Sequence, residues 1–218
     1  MSSPLPELRQ RWVQSGDPAD EAAWLAERVA TGALRAERLQ LAAYVGHPAA
    51  LVVVRQAGPL YRRRASKAGA SYQLRQWILG LGDLCPPSER VVVARRTLAV
   101  LLHSLGHDHG KAALDELTAD HPPWGVFRIV AGWGQDALSE FGDSTRLRHR
   151  VTVALVGWAL AEGQTPRPHA PHEWFRIGER VTHPRHGEGF VRRSGRRAFE
   201  VEFRQGARRL PHRRTEAP

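Results

Sequence analysis

Up to about Glu162 the apolar residues of this chain recur at helical spacing, whereas beyond Trp174 they alternate one by one. A change of period from about 3.6 to 2 is a change from helix to strand, because side chains return to one face of a helix every three to four residues and to one face of a strand every second residue. Between the two regimes the chain reads Gly163-Gln-Thr-Pro-Arg-Pro-His-Ala-Pro-His-Glu173, and its three prolines disfavour a continuing helix. The expected class is therefore α+β in two parts: an irregular all-α helical domain over 1–163, a Pro/His-rich linker over 164–173, and a small all-β module over 174–214. A length of 218 residues suits one domain plus a small module.

The helical part carries its own punctuation. Asp17-Pro18-Ala19-Asp20-Glu21 places an N-cap acid before a proline at the first helical position and acids in the first turn; Leu25 and Val29 then repeat at helical spacing and Gly32 closes the segment. A second helix over about Ala36–Val45 stops at Gly46 and restarts after His47-Pro48. Further helices are expected near Tyr72–Leu81, Pro87–Leu105, Trp124–Phe141 and Ser144–Ala161, with Asp143 in an N-cap position and with Gly132, Gly134 and Gly157 weakening the last two. Six of the seven tryptophans precede residue 160, as suits the anchors of an all-helical core. Glu27 to Ala50 resembles the opening motif of an uncharacterised bacterial helical family; Leu39, Ala42, Ala43 and Tyr44 would build a close helix pair and Gly46 and Pro48 would turn the chain. No activity follows from that resemblance.

After the prolines, Phe199, Val201 and Phe203 alternate with Glu200, Glu202 and Arg204, and Ser194-Gly195 and Gln205-Gly206 supply hairpin turns on either side. Upstream, Val181-Thr-His-Pro-Arg-His-Gly-Glu-Gly-Phe-Val191 reads as strand, bend, strand. His183 and Pro184 sit at a strand end, where a missing N–H is tolerated, and Gly187 and Gly189 permit a positive φ or tight packing. Val181, Phe190 or Val191, Phe199, Val201, Phe203 and Leu210 can close a miniature core. This pattern, with Gly206-Ala-Arg-Arg-Leu-Pro-His212, resembles the Tudor/SH3-like C-terminal domain of UvrD/PcrA-type helicases; through Phe175-Arg-Ile-Gly-Glu-Arg-Val and His183-Pro-Arg-His-Gly it is also similar to the RNA-polymerase-binding CarD-like domain. The resemblance spans about 40 residues and implies an SH3/Tudor-like barrel that docks on RNA polymerase. His186 stands where the helicase module usually has Phe, and no helicase or translocase motor accompanies the module, so the parent enzymes' activities do not transfer.

Charge narrows the partner class. The formal net charge is +10 and the pI about 11.1, which favours nucleic acid or acidic surfaces. Only Lys67 and Lys111 are lysines, an arginine bias that a GC-rich genome also produces. Position says more than the total: from Trp174 onward twelve Arg face five Glu, a net of +7. Arg192, Arg193, Arg196 and Arg197 flank the first hairpin turn, Arg208 and Arg209 follow the second, and Arg forks pair bidentately with phosphate or carboxylate. Arg62, Arg63 and Arg64, beside Tyr61, Lys67 and Tyr72, form a second basic stretch able to track a phosphate backbone. The expected partner is RNA polymerase or nucleic acid.

No apolar run approaches the roughly 20 residues that span a bilayer, and Met1-Ser-Ser-Pro-Leu-Pro lacks the basic and apolar regions of a secretory leader. With Cys85 as the single cysteine, a reducing, cytoplasmic location is expected. His103 and His107 have the i, i+4 spacing of a metal pair, with Asp108 and His109 adjacent, but lack the Glu of H-E-x-x-H; a helix end is the plainer explanation. Gly106-His-Asp-His-Gly110-Lys111-Ala112 is one residue short of a phosphate-binding loop and has Ala where the Ser/Thr belongs. Neither catalytic residues, a metal nor a cofactor are expected. The sequence thus favours a binding adaptor, ahead of a hydrolase built on the His103–His109 cluster and ahead of a structural subunit of a larger assembly.

Overall fold

The computed structural model describes residues 4–56, 74–105, 114, 117, 123–169, 175–195 and 198–211. Eight helices occupy the N-terminal two thirds of these residues, and a five-stranded sheet follows. The helices are α1 (Leu5–Ser15), α2 (Pro18–Ala30), α3 (Ala36–Tyr44), α4 (Pro48–Gln56), α5 (Leu74–Leu84), α6 (Arg90–Leu105), α7 (Pro123–Phe141) and α8 (Ser144–Leu160). A short 3-10 turn, Pro87–Glu89, leads into α6. The chain divides into two compact units, Met1–Leu155 and Val156–Pro218.

Caps fall where the sequence places them. The Asp17 carboxylate accepts from the Ala19 N–H at 2.8 Å with Pro18 at the first helical position, and Asp143 does the same for the Arg146 N–H at 3.0 Å. Each offsets one of the orphan donors of a helix start, worth about 1 kcal/mol. In the first unit Trp12 stacks on Trp24 with centroids 4.7 Å apart, and the Arg28 guanidinium lies over Trp24. The Tyr44 hydroxyl donates to the Trp77 carbonyl at 3.0 Å, which requires Gly80, since a Cβ there would stand 2.2 Å from that hydroxyl. Gly134 breaks no helix: α7 runs unbroken through it, and it gives room to Ile78 of α5, whose Cδ1 would lie 2.5 Å from a Cβ.

Two ionisable groups are sunk in this unit. Glu89 is buried against Arg35 and Arg38, with Arg38 Nη2 2.6 Å from its carboxylate. His47, also buried, accepts the Ala50 N–H on Nδ1 at 3.4 Å, and its Nε2 faces Glu21 at 3.6 Å. It therefore caps the start of α4, a role the sequence assigns only to the neighbouring proline.

The second unit begins with the last turn of α8 and continues as β1 (Arg167–Pro168), β2 (Arg180–His183), β3 (Gly187–Ser194), β4 (Ala198–Phe203) and β5 (Gly206–Pro211), lying side by side in that order. β1 pairs parallel to β2, and every later pair is antiparallel. The segment expected to be linker thus contributes an edge strand. Proline removes a helix N–H but is tolerated at a sheet edge, so the Pro-rich composition excluded helix without excluding strand. Gln164 also ties this stretch down, its side-chain amide donating to the carbonyls of Leu160 and Gly178 at 2.7 Å each. Phe175, Val181, Val191, Phe199, Val201, Phe203 and Leu210 form one buried cluster, close to the core read from the alternation. Gly157, expected to weaken α8, instead lets the helix approach β3: a Cβ there would lie 2.7 Å from the Val191 carbonyl oxygen and 2.9 Å from the Arg192 Cα.

Candidate functional site

The pairing of β3 with β4 slips by one residue between Val191 and Arg193: Val191 faces Val201, yet Arg193 faces Glu200. Arg192 is the extra residue of a β-bulge, and a bulge sets two residues against one on the partner strand. Two arginines consequently oppose the single carboxylate of Glu200, and Arg192 Nη2 lies 2.6 Å from its Oε1. From the other side β5 brings Arg209 into register with the same Glu200. Three arginines on three adjacent strands share one counter-charge, and Arg193 and Arg209 are exposed.

Arg208 is exposed as well, but its register partner is Val201, so it alternates to the opposite face from Arg209. The run Arg208-Arg209 is therefore not one patch. Arg196, Arg197, Arg62, Arg63 and Arg64 lie outside the described residues. Within the expected structural motif the two glycines divide the work. Gly187 has φ +74° with open space around it, and Gly189 is a close-approach site where a Cβ would meet the Glu202 carbonyl oxygen at 2.6 Å. His183 ends β2, and Pro184 follows it in an exposed turn.

Three features here escaped the sequence. Glu179 is 1% exposed and accepts from the Arg176 N–H at 2.7 Å and from Arg167 Nη2 at 3.4 Å. The bulge at Arg192 has no glycine or proline to announce it. The third is a histidine row: His169 lies 5.1 Å from His183, and His183 stacks on His186 at 4.7 Å, centroid to centroid. The spacing of His183 and His186 across a turn was visible in the sequence, but His169 joins them only through the parallel pairing of β1. Partial burial pushes the His183 imidazole below its usual value, and the neighbouring His169, His186 and Arg185 push it the same way.

Of the expected alternative cluster, His103 sits exposed in the last turn of α6, and His107, Asp108 and His109 lie outside the described residues. Among the described residues no group of three or more His, Cys, Asp or Glu side chains is arranged to hold a metal ion, and no helix is long and apolar enough to cross a membrane. The thiol of buried Cys85 is pushed up to about 12 by burial and by the nearby Glu89 charge, which keeps it protonated and unreactive at neutral pH. No protein-family model matches the chain, and no curated protein and no solved structure matches it.

Proposed function

We propose that this protein is a non-enzymatic, cytoplasmic binding adaptor whose basic β unit, an SH3/Tudor-like barrel in this reading, contacts RNA polymerase or nucleic acid through its arginine face. The observation that carries the proposal is the convergence of Arg192, Arg193 and Arg209 on one glutamate, which leaves a local excess of positive charge presented by a rigid sheet. Guanidinium forks held this way suit phosphate oxygens or clustered carboxylates, because little side-chain freedom is left to lose on binding.

Capture of partners from native lysate, with and without nuclease, tests it. Polymerase retained after nuclease assigns a protein partner; loss of all partners assigns nucleic acid; capture of neither overturns the proposal. With a single-stranded oligonucleotide as ligand, log affinity is expected to fall linearly with log salt. The triple substitution of Arg192, Arg193 and Arg209 by Ala should flatten that slope by about 2, at about 0.7 per lost phosphate contact. Glu200→Gln is expected to act oppositely, raising affinity several-fold and steepening the slope by about 0.7, because Arg192 is released from its internal partner. A Glu200→Gln protein that binds more weakly than the parent, while still folded, would show that the carboxylate serves the ligand and not the arginines.

A further inference from the structure

The core-facing side of the sheet carries six aromatic rings in an unbroken run: Phe175, Phe199, His169, His183, His186 and Phe203. Successive centroids are 5.1, 5.6, 5.1, 4.7 and 5.2 Å apart. The three phenylalanines are buried and the three imidazoles are half-buried. Backbone bonds fix the row, since the His169 N–H donates to the Thr182 carbonyl at 2.8 Å, the His186 N–H to the His183 carbonyl at 3.2 Å, and the Arg185 N–H to His183 Nδ1 at 3.1 Å.

The charges around the row are as specific as its geometry. On β1, Arg167 lies over the Phe175 ring and reaches the buried Glu179. Arg185 is exposed in the turn between His183 and His186, and Arg204 is exposed directly after Phe203 at the end of β4. On β2 and β3, Arg180 pairs with Glu188. Glu188 and, on β4, Glu202 alternate to the face opposite His183 and Phe203, as their register with Thr182 and Phe190 requires. Among the described residues, then, the turn and the strand end beside the imidazoles present arginine and no free carboxylate.

Three stacked imidazoles next to arginines resist protonation, since each new cation meets those already there. A ligand that lays anions along the row removes that resistance, so binding draws protons in, and protons in turn strengthen binding by the same factor. A line of would-be cations alternating with flat rings suits a chain of phosphates carrying stackable bases better than a carboxylate surface, because bases add contact with exposed ring faces.

We propose that His169, His183 and His186 form a proton-linked contact for the phosphates of single-stranded nucleic acid, one whose hold tightens as the pH falls below neutrality. This rests on the nucleic-acid form of the function proposed above. The full-length chain is titrated with a fluorescent single-stranded oligonucleotide at fixed salt, at about pH 7.5 and about pH 5.5, the range in which histidine changes charge. Affinity is expected to rise about tenfold on acidification. The triple variant His169→Gln, His183→Gln, His186→Gln should bind like the parent at the higher pH and lose the gain at the lower one. A parent whose affinity ignores pH, or a variant that keeps the full gain, overturns the inference and leaves the arginine face untouched. No binding by the parent at the higher pH, even at low salt, removes the nucleic-acid form of the function and this inference with it. Poly-glutamate showing the same histidine-dependent gain would overturn the assignment to nucleic acid. Should the triple variant misfold, imidazole proton resonances of the parent decide: saturating oligonucleotide must raise the titration midpoints of His183 and His186, and unmoved midpoints refute the contact.

Discussion

Gly189→Val is expected to abolish protection of the β2–β5 amides from hydrogen exchange and to remove the cooperative melt of the β unit. In the native sheet Gly189 faces Val181 on one side and Phe203 on the other. A Cβ at that point would lie 2.6 Å from the Glu202 carbonyl oxygen and 2.7 Å from both Phe203 Cδ1 and Val201 Cγ1. Side chains can turn away, but the carbonyl belongs to the backbone of a paired strand and moves only with the ladder. Overpacking of this kind costs about 3 kcal/mol or more. A unit of this size holds only about 3–9 kcal/mol. Gly187→Ala supplies the contrast, because Gly187 has φ +74° with no atom near its missing Cβ, so alanine there meets strain of about 1–2 kcal/mol and no collision. Equal losses at the two positions would show that conformation, not contact, makes Gly189 necessary.

Acid should weaken the helical unit in two separate steps with two separable causes. Burial lowers the His47 imidazole from 6.5 to about 4. The unfolded chain therefore takes up a proton that the folded one refuses, so stability is full above pH 6.5 and falls as the pH drops from 6.5 towards 4. The loss is at most about 3 kcal/mol, reduced by whatever Glu21 returns to the imidazolium. For Glu89, burial pushes the carboxyl up, but the hydrogen bonds and charges of Arg38 and Arg35 outweigh it and hold the group below the ordinary carboxylate value. That contribution is intact above the unfolded value of about 4.3 and disappears as the pH falls through the depressed folded one. Urea titrations across pH should show His47→Gln, which keeps an acceptor for the Ala50 N–H, flat in the upper window. Glu89→Gln should lose about 2–3 kcal/mol at pH 7 and be flat in the lower window. The cost is set below that of a fully buried pair because Arg35 is 43% exposed and can return to water. An unchanged upper window in His47→Gln would mean that the imidazole is already charged in the folded protein.

The two-part organisation was legible because hydrophobic period survives any detail of packing. Leu25, Val29 and their helical neighbours, and Phe199, Val201 and Phe203 on their strand, declare their faces one residue at a time. Capping was legible for the same reason, since Asp17 and Asp143 act on amides two or three residues away. What stayed hidden depends on pairs distant in sequence. Glu89 meets Arg35 and Arg38 across more than fifty positions, His169 reaches His183 through a two-residue parallel strand, and the bulge at Arg192 is a matter of register. Helix-weakening glycines were read correctly as costs to isolated helices, but their purpose at Gly134 and Gly157 is space for a neighbour that the local sequence does not contain. The arginine face was half visible: composition located it on the last two hairpins, and strand alternation then separated Arg208 from Arg209.

The order of the strands also bears on how quickly the β unit can form. Each antiparallel pair joins strands that are consecutive in the chain and separated by no more than three residues. Loop closure therefore costs little entropy at each step, and the sheet can be assembled hairpin by hairpin from β2 onwards without waiting for a distant segment. Only β1 reaches across a longer gap, and it is two residues long. A meander of this kind exposes its apolar strands to solvent for a short time during synthesis, which is when an arginine-rich sheet with Val and Phe on its other face would be most open to capture by the wrong polyanion.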